Sequence, residues 1–312
     1  MGSRIMSVSM LLGLLSIALL TATPVLLALL GETLTQRTGI INLGVEGQML
    51  VGAAAGFAAT HASGNPWLGL LVGTCAGMAL SSVHALLCLG LGVNQIASGL
   101  AVFFLGNGLS SFYGTPLVGQ QINGFHSLAH GWLGKLPVVG GFLGQLTPTV
   151  YMGLFLMVVS GLFLYRTQWG LVWRAAGESA DALRMLGKHP VRLRLAGILV
   201  GGLFTGLAGA ALSVDYTRTW VELMTAGRGL LAVGLVIVAR WNPWLSLPVA
   251  LIYGLSEALA LRLQSMGADI SPYLLGTLPY LVPLIVLLLS YRTSQRGSSM
   301  PQELAGVFRG MA

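Results

Sequence analysis

The stretch MLLGLLSIALLTATPVLLALL, residues 10–30, carries no ionisable side chain over 21 positions. Lipid offers no hydrogen bonds to a backbone, so only helices and closed barrels span it, and about twenty apolar residues make one helical crossing. A barrel strand needs about half that length, so this run reads as a membrane helix. Arg4 precedes it as in a signal peptide, but apolarity continues through Leu30 without a small-residue cleavage site, and the segment is taken as a true span. Further runs of the same kind lie at 40–61, 67–92, 95–113, 149–165, 195–214, 228–240, 243–262 and 272–291. The expected fold is therefore all-α: a polytopic membrane helix bundle of about nine spans, eight to ten, forming one domain over 1–312. The run at 228–240 is the short one, with the length of a half-helix or a tilted piece.

Composition excludes the alternatives. Only 8% of the 312 residues are charged and 55% are apolar, with a mean hydropathy of +0.81. A soluble domain carries roughly 25% charged residues, and a disordered chain is poor in apolar ones. The 44 glycines have no period of three, which excludes a collagen helix. Cys75 and Cys88 lie thirteen residues apart in one apolar run, on roughly opposite helix faces, which predicts neither a disulfide nor a thiolate metal site.

The net charge of +7 reads as a topology signal rather than a nucleic-acid surface. Arg166, Arg174, Arg184, Lys188, Arg192 and Arg194 crowd the loop 166–194, which should therefore be cytoplasmic. Alternation then places Arg37, Arg240 and the tail 292–312, with Arg292, Arg296 and Arg309, on the same side. Arg4, Lys135, Arg218 and the long loop 114–148 fall outside, giving an outer amino terminus and an inner carboxyl terminus.

Small residues recur every fourth position: Gly69, Gly73 and Gly77; Gly52 and Gly56; Gly197 and Gly201; Gly202, Gly206 and Ala210. Such ridges let membrane helices approach closely, and internal packing is their expected role. Polar atoms in this solvent are the candidates for function. Asn42 and Glu46 stand four apart, on one face if 40–61 is a continuous helix, while Gly44 and Gly47 weaken that helix and favour a break lining a polar cavity. Glu46 needs water or a partner, for which Arg37 is the nearby candidate. Gln48, then Asn94, Gln95, Ser98 and Asn107 at the fourth span, and Tyr253 with Glu257 in the eighth, complete a corridor of mostly neutral donors and acceptors, equally suited to a solute or to bonding between helices. Asp215 with Arg218 and Glu222 with Arg228 read as outer-loop caps or weak ion pairs.

His126 and His130 have helical spacing but no nearby Cys, Asp or Glu, so no metal site is expected, and the lone His84 reads as a neutral packing residue. No phosphate loop, serine triad, H-E-x-x-H or dinucleotide fingerprint is present, so the chain is read as a transport subunit rather than an enzyme.

Three stretches together, TGIINLGVEGQM at 38–49, RAAGESADALRMLG at 174–187 and LAGILVGGLFTGLAGA at 195–210, resemble the permease subunits of bacterial ABC importers. The group is that of branched-chain amino acid, simple sugar and nucleoside permeases, and the nucleoside type is the most similar. The resemblance implies a multi-pass protein of the bacterial inner membrane whose residues 174–190 form a coupling helix seated on a cytoplasmic ABC ATPase, through Ala175, Ala176, Gly177, Glu178, Asp181, Ala182 and Gly187. It also implies a second, non-identical permease and an extracytoplasmic solute-binding protein. This chain would bind no cofactor, ATP being used by the partner. The implied cargo is a small neutral polar solute, a nucleoside before a simple sugar or branched-chain amino acid, moved by alternating access. A reading of another class is an ion-coupled carrier or channel built on Glu46 and Glu257.

Overall fold

The computed structural model describes residues 8–127, 140–267, 271–293 and 300–309. Each of the nine apolar runs falls on a helix. In chain order the helices are α1 (Val8–Gln36), α2 (Val45–Ser63), α3 (Pro66–Ala85), α4 (Gln95–Gly114), the short α5 (Gly140–Leu143), α6 (Pro148–Arg166), α7 (Gln168–Glu178), α8 (Ala180–Met185), α9 (Pro190–Ala211), α10 (Arg228–Val238), α11 (Pro243–Ser265), α12 (Pro272–Thr293) and α13 (Gln302–Arg309). α3 and α9 each run on into a π-helical turn, at Leu86–Gly90 and Leu212–Thr217. Among the described residues the only strand-like contact is one isolated bridge between Gln121 and Thr219.

Among the described residues, six helices are long and apolar enough to cross a membrane: α1, α3, α4, α6, α9 and α11, while α10 and residues 272–286 of α12 are shorter apolar helices. α2 is 19 residues long but rich in Ala and Gly and opened by Glu46 and Gln48. Its place in the bundle explains that composition. α1, α2 and α9 form the centre, with α1 buried almost without interruption from Thr21 to Gln36. The surrounding helices turn apolar side chains outward, among them Leu71 on α3, Phe104 and Phe112 on α4 and Phe155 on α6. Such a surface suits lipid, not water.

The centre is packed backbone to backbone. A Cβ added to Gly52 would lie 2.4 Å from the Gly206 carbonyl oxygen, one on Gly73 2.4 Å from that of Gly52, and one on Gly77 2.3 Å from Gly206 Cα. The glycine ridges of α2, α3 and α9 thus interlock with each other inside the chain, as their spacing predicts.

The stretch 174–190, expected to form one helix, holds the end of α7 and the whole of α8. α7 ends at Glu178, Ser179 takes an extended conformation, and its hydroxyl caps α8 by accepting from Ala182 N at 3.2 Å. A serine at this point competes with the helix for backbone donors, which explains the break. Gly187, at φ +68, closes α8 in the left-handed region that glycine adopts freely. The bundle end carrying α7 and α8 is termed the elbow end.

Candidate functional site

The chain between α1 and α2, residues 37–44, is irregular and buried, and its backbone is satisfied by side chains from distant elements. Glu32 Oε1 on α1 accepts from Gln36 Nε2 at 2.8 Å and from Asn42 N at 3.0 Å. Gln95 Oε1, at the start of α4, accepts from Ile41 N at 2.9 Å. His84 of α3 pairs one ring nitrogen with Ser98 Oγ at 2.9 Å and the other with the Ile41 carbonyl at 3.3 Å. Asn42 Oδ1 accepts from Gly44 N at 2.9 Å, and Asn42 Nδ2 donates to Gln48 Oε1 at 3.2 Å, which also accepts from Thr205 Oγ1 of α9 at 2.9 Å. Buried polar groups must be paired, and here the pairing welds α1, α2, α3, α4 and α9 around one turn.

Asn42 and Glu46 therefore do not share a helical face. α2 starts only at Val45, with Asn42 three residues earlier in the turn, because the Asn42 side chain bonds the backbone two residues on and so competes with helix formation.

Glu46 also departs from the expected pairing with Arg37. Arg37 Nε donates to the Trp241 carbonyl at 2.8 Å and its NH2 to the Tyr165 hydroxyl at 3.3 Å. The Glu46 carboxylate instead meets the start of α10. Its Oε1 accepts from Thr225 Oγ1 at 2.5 Å and Gly227 N at 2.7 Å, and its Oε2 from Gly229 N at 2.6 Å and Leu230 N at 3.3 Å. Gly227, the residue before α10, has no side chain with which to cap it. A carboxylate at a helix start satisfies orphan amides and complements the positive end of the helix dipole. Gly229 is required here, since a Cβ on it would lie 2.7 Å from Glu46 Cα.

This contact lies inside the bundle. The far end of α10 is fixed beside the end of α1, where Trp241 Nε1 donates to Gln36 Oε1 at 2.6 Å. With 11 residues, α10 is only about 16 Å long, so it begins well short of the opposite face. The run at 228–240 is thus a half-helix, and the chain entering it is strained: Arg218, Leu223 and Ala226 have φ of 56°, 57° and 48°, and Arg240 and Trp241 beyond it both have φ 53°.

Next to the same start, Arg228 NH2 donates to Glu257 Oε1 at 2.7 Å, with both side chains nearly buried, and the Tyr216 hydroxyl donates to that oxygen at 3.2 Å. Arg228 thus pairs with Glu257 of α11, not with Glu222, because the half-helix carries it inward. Tyr253 lies against the pair, with the Arg228 guanidinium 5.8 Å from its ring centre. Asp215 likewise bonds to the Thr147 and Thr149 hydroxyls rather than to Arg218, whose guanidinium donates to the Phe125 and Asp215 carbonyls.

Of the corridor residues, then, Asn42, Gln48, Gln95 and Ser98 converge on the turn, and Glu46, Tyr253 and Glu257 on the start of α10. Asn94 caps α4 by accepting from Ile96 N and Ala97 N, and Asn107 stands apart, half-buried midway along α4. An apolar groove of about 450 Å³ between α2, α3 and α4 is lined by Val51, Ala54, Ala55, Ala58 and Val72 and has little to offer a polar solute. Sequence reasoning passed over Glu32, Gln36, Thr205, Thr225 and Trp241. Only the Glu32–Gln36 spacing of four carried a local signal.

At the elbow, Ala176 and Gly177 are buried and Ala175 half-buried, whereas Glu178, Asp181, Ala182 and Gly187 are exposed. Met185 and Leu186, unremarked in the sequence, are 84% and 72% exposed and form its most prominent apolar tip. Cys75 and Cys88 are both free thiols, and no group of three metal-ligating side chains occurs among the described residues. His126 is exposed, and His130 lies outside the described residues.

Comparison with known proteins places this architecture. The profile of the family described as branched-chain amino acid transport system, permease component, matches residues 13–291. A protein of Haloferax volcanii, provisionally named the glucose ABC transporter permease protein TsgC13, is 40% identical over 297 residues, covering 88% of this chain and 90% of that one. The guanosine ABC transporter permease protein NupQ of Bacillus subtilis is 28% identical over 287 residues, 86% of this chain and 89% of its own. The nucleoside ABC transporter permease protein NupC of Lactococcus lactis is 28% identical over 285 residues, 87% and 90%. No solved structure matches. With its apolar helices, its buried polar turn at 37–44 and a profile match from the first helix into α12, the chain is a multi-pass membrane protein belonging to the family of ABC transporter permease components.

Proposed function

We propose that the chain is one permease of an ATP-driven importer for a neutral, hydroxyl-rich solute, a nucleoside or a simple sugar. It pairs with a second permease, draws on an extracytoplasmic binding protein, and is driven by an ABC ATPase at the elbow. The profile match across 13–291 carries this reading. The elbow end is cytoplasmic in it, which accords with the six basic residues of 166–194. All nine helical runs then cross or enter the bilayer, with the amino terminus outside and the carboxyl terminus inside.

α10 is the gate element of this reading. A half-helix that starts inside the bundle, strained at both ends and held by one carboxylate, has the features of a piece that moves while its scaffold stays. Asn42, Gln48, Gln95 and Ser98 form the scaffold, and Glu46, Tyr253 and Glu257 hold the gate closed. Solute passes along the path that α10 opens, with Asn107 a contact on its wall. Glu46 and Glu257 already accept four and two hydrogen bonds, an arrangement that favours gating over ion coupling.

The 40% identical relative carries a sugar's name and the two 28% identical ones carry nucleosides' names, so both cargoes stand. Gentle purification from native membranes, followed by mass spectrometry of the bound proteins and of the small molecule on the binding protein, tests the whole reading. An ATPase, a binding protein and a sugar or nucleoside are expected. Uptake by the chain alone, driven by an ion gradient, overturns it. At Gly187 a Cβ would meet nothing within 4 Å, so G187W strains the turn and sets its bulk where a partner would dock. It should uncouple hydrolysis from uptake while leaving membrane insertion intact.

A further inference from the structure

α8 has six residues, too few to hold a helix by its own hydrogen bonds, and it hangs from α7 through the extended Ser179. α7 itself is anchored: Trp173 Nε1 donates to the Leu34 carbonyl at 2.9 Å, and a Cβ on Gly177 would lie 2.5 Å from the Arg37 carbonyl oxygen. Beside the buried Leu183, what holds α8 comes from the far end of the chain. Glu303 of α13 accepts from Ala180 N through Oε1 at 2.9 Å, occupying an amide of the first turn that Ser179 leaves open. Its other oxygen meets Arg194 NH2 on α9 at 2.9 Å, with the side chains 32% and 20% exposed. The Glu303 stem presses on Gly39, at φ +87, where a Cβ would lie 2.9 Å from Glu303 Cβ and 3.3 Å from Gly177 Cα. The next residue, Leu304, is 1% exposed and packs into the core cluster that holds Ile41 and Trp241.

One side chain therefore touches the elbow, the second turn of α9 and the buried turn that carries the gate scaffold. We infer that Glu303 is a positioning residue for coupling: the tail helix α13 clamps α8 to α9 and to the 37–39 turn, so that a push on the elbow moves all three together. This rests on the reading that the elbow receives the ATPase. Removing the clamp would leave α8 free to yield under load, and hydrolysis would continue without proportionate transport.

The test uses the full chain with its ATPase and second permease in nanodiscs and proteoliposomes. In E303A, amide hydrogen exchange at residues 180–182 should quicken by about tenfold, the order of losing a charged helix cap. Solute moved per ATP hydrolysed should fall roughly fivefold while the ATPase stays bound. E303Q, which keeps one acceptor oxygen for Ala180 N but loses the ion pair, should fall between E303A and the native protein on both readouts. Unchanged exchange in E303A overturns the clamp. Quickened exchange with a native transport ratio overturns its role in coupling. Absence of ATP-driven uptake by the native complex is instead the failure of the proposed function, and the exchange measurement still decides the clamp.

Discussion

The seam that α2 forms with α3 and α9 and the clasp that α2 forms with α10 secure the same helix by opposite means. In the seam, glycines let backbones touch, and stabilisation is spread over many small dispersion contacts. In the clasp, one carboxylate takes four donors from a strained loop and a helix start. A seam of many weak contacts yields gradually to substitution, whereas the clasp fails at one residue. That asymmetry is what a gate hinged on a fixed scaffold requires, and it can be broken or sharpened by substitution.

The largest effect is expected at Glu46. E46A leaves the Thr225 hydroxyl and the Gly227 and Gly229 amides without an acceptor in a buried site, costing about 1–3 kcal/mol for each stranded donor. It should yield little folded protein in a size-exclusion and thermal-melting assay, with partial recovery in E46Q. A native melt for E46A would remove the distinction between clasp and seam. Slightly smaller losses are expected for E257A, which strands the buried Arg228, with a double replacement R228M/E257M restoring part of the melting temperature.

The seam should respond more mildly. G206A brings a methyl to 2.5 Å from the Gly73 carbonyl oxygen, an overpacking cost of about 1–3 kcal/mol. Because Gly52 touches the same residue, G52A/G206A should be non-additive. Weaker still, S179A removes the α8 cap at about 1 kcal/mol, read as faster amide exchange confined to the elbow. At the bottom of the scale, Asp181 and Arg184 form an exposed pair, and D181N should change the melt by less than about 0.5 kcal/mol. A loss of uptake in that same variant would mark Asp181 as a docking residue, separating elbow chemistry from stability.

The two regions also differ in how far sequence discloses them. The seam is local: Gly69, Gly73 and Gly77 repeat every fourth residue, and that period alone points to close helix packing. The membrane class and the positions of the helices follow with the same directness from runs such as 10–30. The clasp is not local. Glu46 and Thr225 are 179 residues apart, and nothing around either names the other. Arg37 was the nearby cation, and its guanidinium goes to a backbone carbonyl on the far side of α10 instead. Arg228 was matched to Glu222 on proximity, yet the half-helix points it at Glu257. The break at Ser179 was legible in principle, because serine is a natural cap.

The central claim is that the elbow is the point at which a motor acts. The most direct measurement is photo-crosslinking in living cells from a benzophenone side chain at position 186, on the exposed tip of the elbow. The account predicts an adduct with a cytoplasmic ABC ATPase whose yield changes when nucleotide is trapped. An adduct with the extracytoplasmic binding protein, or adducts with lipid alone, would contradict it.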